Sequence, residues 1–119
     1  MSGEIKDQIL DINKLPPQSI DLEKIVLGAM MLEAECIPDV LAILTADCFY
    51  PDVHKTIFHA IKNCYKKGVA VDIMTVTEQL KSESKLQFVG GAYYVSTLTN
   101  AIASTANVEH HSRIILQHY

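Results

Sequence analysis

At 119 residues, the chain is long enough for one domain with a buried core and short for two. Hydrophobic residues make up 49% and charged residues 20%, which excludes general disorder; no apolar run reaches the ~18 residues of a membrane-spanning helix, and the first 14 residues lack the apolar core of a signal peptide, so a cytoplasmic protein is expected. The net charge of -4 argues against a surface built to neutralise many phosphates, and three widely spaced cysteines, Cys36, Cys48 and Cys64, suggest buried thiols rather than disulfides or a zinc site.

Residues 1–14 contain Ile5, Ile9, Leu10 and Ile12 but no cap before Pro16 and Pro17, so they read as a flexible or swapped arm. The proline pair stops any helix from upstream. Ser19 then offers a side-chain cap for a new helix, with Asp21 and Glu23 favoured near the positive end of its dipole. Leu22, Ile25, Val26, Ala29 and Met30 fall on one helical stripe. Gly28, inside this helix, costs about 0.8 to 1 kcal/mol relative to Ala; close approach of another helix is the expected reason.

A second helix is predicted from Ile37, Val40, Leu41 and Leu44, with Pro38 in its first turn. Residues 45–51 form a connection whose Phe49 and Tyr50 are expected to plug the core. Pro51 or Asp52 opens the clearest helix, with His54, Ile57, Phe58, Ile61, Cys64 and Tyr65 on one face and Gly68 as its C-cap. Lys62, Lys66 and Lys67 near its end read as cations at a helix C-terminus in preference to a phosphate patch. Residues 69–71 are a connector or one strand. Asp72 and Thr75 are alternative N-caps for a fourth helix to about Ser82, with Ile73, Val76 and Leu80 inward. After a polar loop, Gly90 and Gly91 turn the chain into a fifth helix carrying Tyr94, Val95 and Leu98. Residues 100–107 are a small-residue turn. A sixth helix follows with Val108, His111, Ile114 and Ile115 inward; it has no stop signal before Tyr119, so it reads as cut inside a longer helix. The expected fold is all-α, a compact orthogonal bundle of about six short helices.

The residues carry little chemistry. No glycine is followed by lysine as a P-loop requires, and neither a G-x-G-x-x-G fingerprint nor an H-E-x-x-H zinc motif occurs. A G-x-S-x-G elbow is missing too. Gly90 and Gly91 read as a tight turn in preference to an anion site. His54, on an apolar face, reads as a hydrogen-bonded core histidine in preference to a catalytic base. No catalytic, cofactor-binding or metal-binding residue is assigned.

One pattern is more specific. Pro16-Pro17-x-Ser19-Ile20-Asp21-x-Glu23 with Val26-Leu27-Gly28, then Phe49-Tyr50 and His54-x-x-Ile57-Phe58, are followed by Gly68-x-x-x-Asp72 with Thr75-Val76-x-Glu78-x-Leu80. Leu86-x-x-Val89-Gly90-Gly91 with Tyr94, and Ala106-Asn107 leading to Ile114-Ile115, complete it. In this order and spacing the chain resembles the N-terminal domain of the DnaB-type replicative DNA helicases over roughly residues 15–116. The resemblance implies a helical head, residues 15–119 here, that precedes a helical hairpin, a linker and a RecA-like motor. In such a parent the motor binds ATP and Mg and encircles single-stranded DNA. Heads and hairpins pair into a trimer of dimers that forms a collar and helps dock primase, and a helicase loader or initiator is a further possible partner. The fragment itself is expected to be no enzyme. If its last helix begins the hairpin, Ile114, Ile115 and Tyr119 are candidate interface residues; the alternative buries both isoleucines in the head's own core. Two other readings stand beside this one: a helix-turn-helix DNA-binding domain, suggested by short helices and the lysines near residues 62–67, and a stand-alone adaptor.

Overall fold

The structure, a computed structural model, describes residues 17–100 and 107–119. Six α-helices and two single-turn 3-10 helices make up the regular structure of these residues. The expectations for the arm at 1–14, and for most of the turn at 100–107, lie outside them.

Helix α1 spans Pro17–Leu32. Proline is tolerated in a first turn, where its missing N–H has no intrahelical acceptor to lose. Ser19 therefore lies inside the helix rather than capping it: it is buried, and its hydroxyl has no hydrogen-bond partner among the described residues. The buried face includes Glu23 and Leu27 beside Val26, Ala29 and Met30, while Leu22 and Ile25 are half-buried. From Val26 to Met31 every residue is buried. A helix enclosed nearly all round belongs at the centre of a bundle, and α1 packs against three of the other five helices, described next.

Helix α2, Ile37–Ile43, has its proline in the first turn, and Ile37 and Val40 point inward. A 3-10 turn at Ala46–Cys48 leads to Phe49, which is fully buried with its ring 4.9 Å from that of Phe58. Tyr50 is not the second plug expected: it is 56% exposed, because consecutive residues in the extended chain before α3 point to opposite sides.

Helix α3, Asp52–Lys66, buries His54, Ile57, Phe58, Ala60, Ile61 and Cys64. It ends at Gly68 with φ +75, where the Gly68 N–H donates to Tyr65 O and the Val69 N–H to Cys64 O. That paired pattern needs a left-handed residue, which glycine adopts without strain. Residues 69–71 form a connector and no strand. Helix α4, Ile73–Ser82, starts at Asp72, whose carboxylate accepts from the Thr75 N–H at 2.8 Å while the Thr75 hydroxyl accepts from the Asp72 N–H at 2.9 Å. Asp72 is thus the cap and Thr75 its reciprocal partner. Asp72→Ala is expected to cost about 1 kcal/mol in chemical denaturation; an unchanged midpoint would mean the cap contributes nothing. The same C-terminal pattern closes α4 with Ser84 in the left-handed position at φ 59.

Helix α5, Gly91–Asn100, follows the left-handed pair Gly90 and Gly91 and buries Val95 and Leu98. It crosses α1 at Gly28 so closely that a Cβ there would lie 2.2 Å from Leu98 O. Helix α6, Val108–Gln117, points Val108, Ser112 and Ile115 inward, leaving His111 and Ile114 half-buried. Ser112 is accommodated because its hydroxyl donates to Val108 O at 2.8 Å. Around α1 stand α3, α5 and α6; α4 packs on α3 and α5, and α2 on α6. The three cysteines are buried and unpaired. Burial pushes the Cys36 thiol up to about 11 and raises that of Cys64, so both stay protonated and inert at neutral pH.

Candidate functional site

Two places in this bundle concentrate polar or apolar groups beyond what packing alone needs. The first is internal. Glu23 of α1 and His54 of α3 are each 2% exposed, with Glu23 Oε1 2.6 Å from His54 Nδ1. The other carboxylate oxygen accepts from the Tyr50 N–H at 2.9 Å, and His54 Nε2 lies 2.8 Å from the Tyr94 hydroxyl of α5. The carboxylate sets the Nδ1–H tautomer, which leaves Nε2 to accept from the phenol.

A carboxylate, an imidazole and a hydroxyl in a row are the parts of a nucleophilic relay. Here the row lies inside the bundle: burial, helped by the Glu23 charge, raises the Tyr94 pKa, so the phenol keeps its proton and donates a hydrogen bond to the ring. The row is a strut joining α1, α3 and α5, with the Tyr50 amide tied in. Sequence spacing placed His54 on the core face but assigned Glu23 to the helix dipole. The missed signal is that Glu23 lies four residues after Ser19 and four before Leu27, on the buried stripe itself. Among the described residues no three His, Cys, Asp or Glu side chains are grouped to hold a metal ion.

The second place is at the end of α6. Its inward stripe, Val108, Ser112 and Ile115, continues into Tyr119, which is 70% exposed, beside Leu116 at 42%. Tyr119, His118, Lys55 and the exposed Tyr50 border a depression of about 230 Å³. Of the three residues singled out from sequence, Ile115 is 2% exposed and belongs to the core. Ile114 is half-buried and Tyr119 open, so Tyr119 is the one of the three that stands exposed, facing Tyr50 across the depression.

His111, on the same helix, has a buried Nδ1 with no partner among the described residues. Burial, followed by the neighbouring His110, holds its imidazole below the usual value of 6.5. The unfolded chain therefore takes up this proton first: stability is full above about 6.5 and is lost as pH falls from there through the folded value. His111→Gln is expected to flatten that part of the stability profile; an unchanged slope between about pH 7 and 5 would show that His111 does not titrate this way.

Residues 15–117 match the family described as the DnaB-like helicase N terminal domain. The chain belongs to that family. It is 46% identical over 104 residues to the replicative DNA helicase DnaB of Rhodothermus marinus, covering 87% of this chain and 11% of that protein. Against the DnaB of Geobacillus stearothermophilus it is 39% identical over 102 residues, covering 86% of this chain and 22% of the relative. The chain thus spans less than a quarter of these DnaB proteins. The crystal structure of the N-terminal domain of DnaB helicase from Mycobacterium tuberculosis superposes with a TM-score of 0.78 at 33% identity, covering 81% of this chain and 69% of that one. The helical DnaB N-terminal fold is therefore the fold of this chain. Within it, the Glu23–His54–Tyr94 row ties α1, α3 and α5 together, and the end of α6 leaves Leu116 and Tyr119 exposed.

Proposed function

We propose that this DnaB-family domain is an oligomerisation and protein-docking head of a replicative helicase, supporting ring assembly and primase contact at the fork. The single observation that carries the reading is the apolar stripe of α6, which runs past the core to exposed Tyr119, bordering one depression with exposed Tyr50, and carries exposed Leu116 beside it. Apolar residues contiguous at the end of a helix need a partner. The family match supports a helicase as the parent. Unwinding, ATP and Mg binding, and the grip on DNA are assigned to the rest of such a parent, acting in the cytoplasm, and a loader or initiator would meet the same collar. The acidic balance of the chain agrees with a head that holds proteins rather than phosphates.

Sedimentation velocity over a concentration series, for the chain alone and with the C-terminal domain of its cognate primase, tests this. The chain is expected to self-associate or to co-sediment with primase, and Leu116→Asp with Tyr119→Asp to weaken that association at least about tenfold, as charges placed in an apolar contact do. A chain that stays monomeric and ignores primase would sink the reading.

A further inference from the structure

The depression at the end of α6 lies close to where the chain enters α1. Glu23 stands six residues after Pro17, about 9 Å along the helix axis at 1.5 Å per residue, and its carboxylate accepts from the Tyr50 N–H at 2.9 Å. Tyr50 in turn borders the depression with Asp47, Lys55, His118 and Tyr119. The residues before Pro17 lie outside the described ones. Among them, Leu15 and Ile12 come two and five residues before Pro17, and at about 3.3 Å per residue they reach up to roughly 7 and 17 Å from it. Both are therefore tethered within range of Tyr50.

The chemistry of that stretch complements the depression. Tyr50 and Tyr119 offer open aromatic faces, and apolar area of this kind favours a cover. Asp47 and Lys55 line the same depression, and among the described residues neither forms an ion pair. Upstream of Pro17, Asp11 and Lys14 stand among Leu10, Ile12 and Leu15, so one short segment carries apolar side chains with one charge of each sign. A further observation is independent of this surface. Ser19, one turn before Glu23 on the same face of α1, is 2% exposed, and its hydroxyl has no hydrogen-bond partner among the described residues. A hydroxyl so buried ordinarily has one, and a backbone carbonyl of a chain laid past the start of α1 would supply it.

We propose that the N-terminal arm folds over this depression in its own copy, seating Ile12 and Leu15 against Tyr50 and Tyr119. Lys14 then meets Asp47, and Asp11 meets Lys55. The proposal rests on the reading of this surface as a docking site, and it adds a regulator: the arm is an autoinhibitory cover that a docking partner displaces. An attached segment acts at a high effective concentration, so a few apolar contacts suffice to hold it. The charges at the rim are exposed to water; they set the register of the arm more than its strength. A partner binds only those copies whose arm is off, and its apparent affinity is reduced by that fraction.

Nuclear magnetic resonance of the full chain, with labelled isoleucine and leucine methyls and labelled tyrosine rings, tests the contact. Overhauser effects are expected between the Ile12 and Leu15 methyls and the rings of Tyr50 and Tyr119. Diluting the labelled chain into an excess of unlabelled chain leaves them at the same strength per labelled molecule, because the contact lies within one copy. Leu10→Asp with Ile12→Asp is expected to abolish them, with circular dichroism checking that the variant stays folded. The same variant is expected to associate with itself or with the primase C-terminal domain about tenfold more tightly in sedimentation velocity, the gain for an arm closed on about nine copies in ten. The proposal is overturned if the arm methyls show no effect to these rings, if the effects fall on dilution, or if the methyls meet Met74 in the groove between α3 and α4 instead. It is overturned too if the unaltered chain associates and the variant does so no more tightly. Effects within one copy, with neither chain associating with anything, keep the arm contact and sink the docking reading.

Discussion

Gly28→Ala is expected to lower stability by about 2 kcal/mol or more, and the melting temperature by roughly 10 °C. On propensity alone the change should help, by about 1 kcal/mol, since alanine suits a helix interior better than glycine. Contact reverses the sign. The new Cβ would lie 2.2 Å from Leu98 O and 2.9 Å from Leu98 C, both backbone atoms that no rotamer change can move. Helix α5 would have to draw away from α1, loosening Leu27, Val95 and Leu98, all buried. Thermal unfolding by circular dichroism reads the effect. A variant as stable as the unaltered chain would mean that the helices cross further apart than this.

His54→Ala is expected to cost about 3 to 5 kcal/mol, because it strands a buried carboxylate. Glu23 would keep only the Tyr50 N–H of the contacts that hold it now. Removing both partners together, as Glu23→Leu with His54→Leu, should cost less than the single change, since no stranded carboxylate is left in the core. Tyr94→Phe removes only a neutral hydrogen bond at a half-buried position, which predicts a smaller loss of about 1 kcal/mol. Urea denaturation of the three variants sets the order. If the single histidine change proved no worse than the double change, the pair would not be acting as a buried charge compensated by its partner.

Much of this fold was legible locally. The boundaries of α3 and α4 follow from Pro51, Gly68 and Asp72, whose backbone preferences act within a few residues of themselves. Ile57, Phe58, Val76, Leu80 and Leu98 were placed inside by helical spacing and Phe49 as a plug from the connection before α3, and all are buried. The misreadings share one cause. Ser19 was given a capping role and Glu23 a dipole role, both of which suit polar residues near a helix start, but α1 begins two residues before Ser19 and its first turns face other helices. Whether a glutamate meets water or an imidazole depends on what another helix brings to it, and His54 lies 31 positions further along the chain. Tyr50 was read with Phe49, yet only one of two neighbours in an extended segment can face the core.

The sequence by itself determined that this chain is a single all-helical head of the DnaB type, because caps, stops, apolar spacing and a crossing glycine are properties of short stretches and survive in their order. Only the tertiary structure decided that Glu23, His54 and Tyr94 form one strut, and that Ile115 is core while Leu116 and Tyr119 stay open. Each of these depends on distances between residues far apart in the chain, and side-chain spacing along one helix carries no information about the helix opposite.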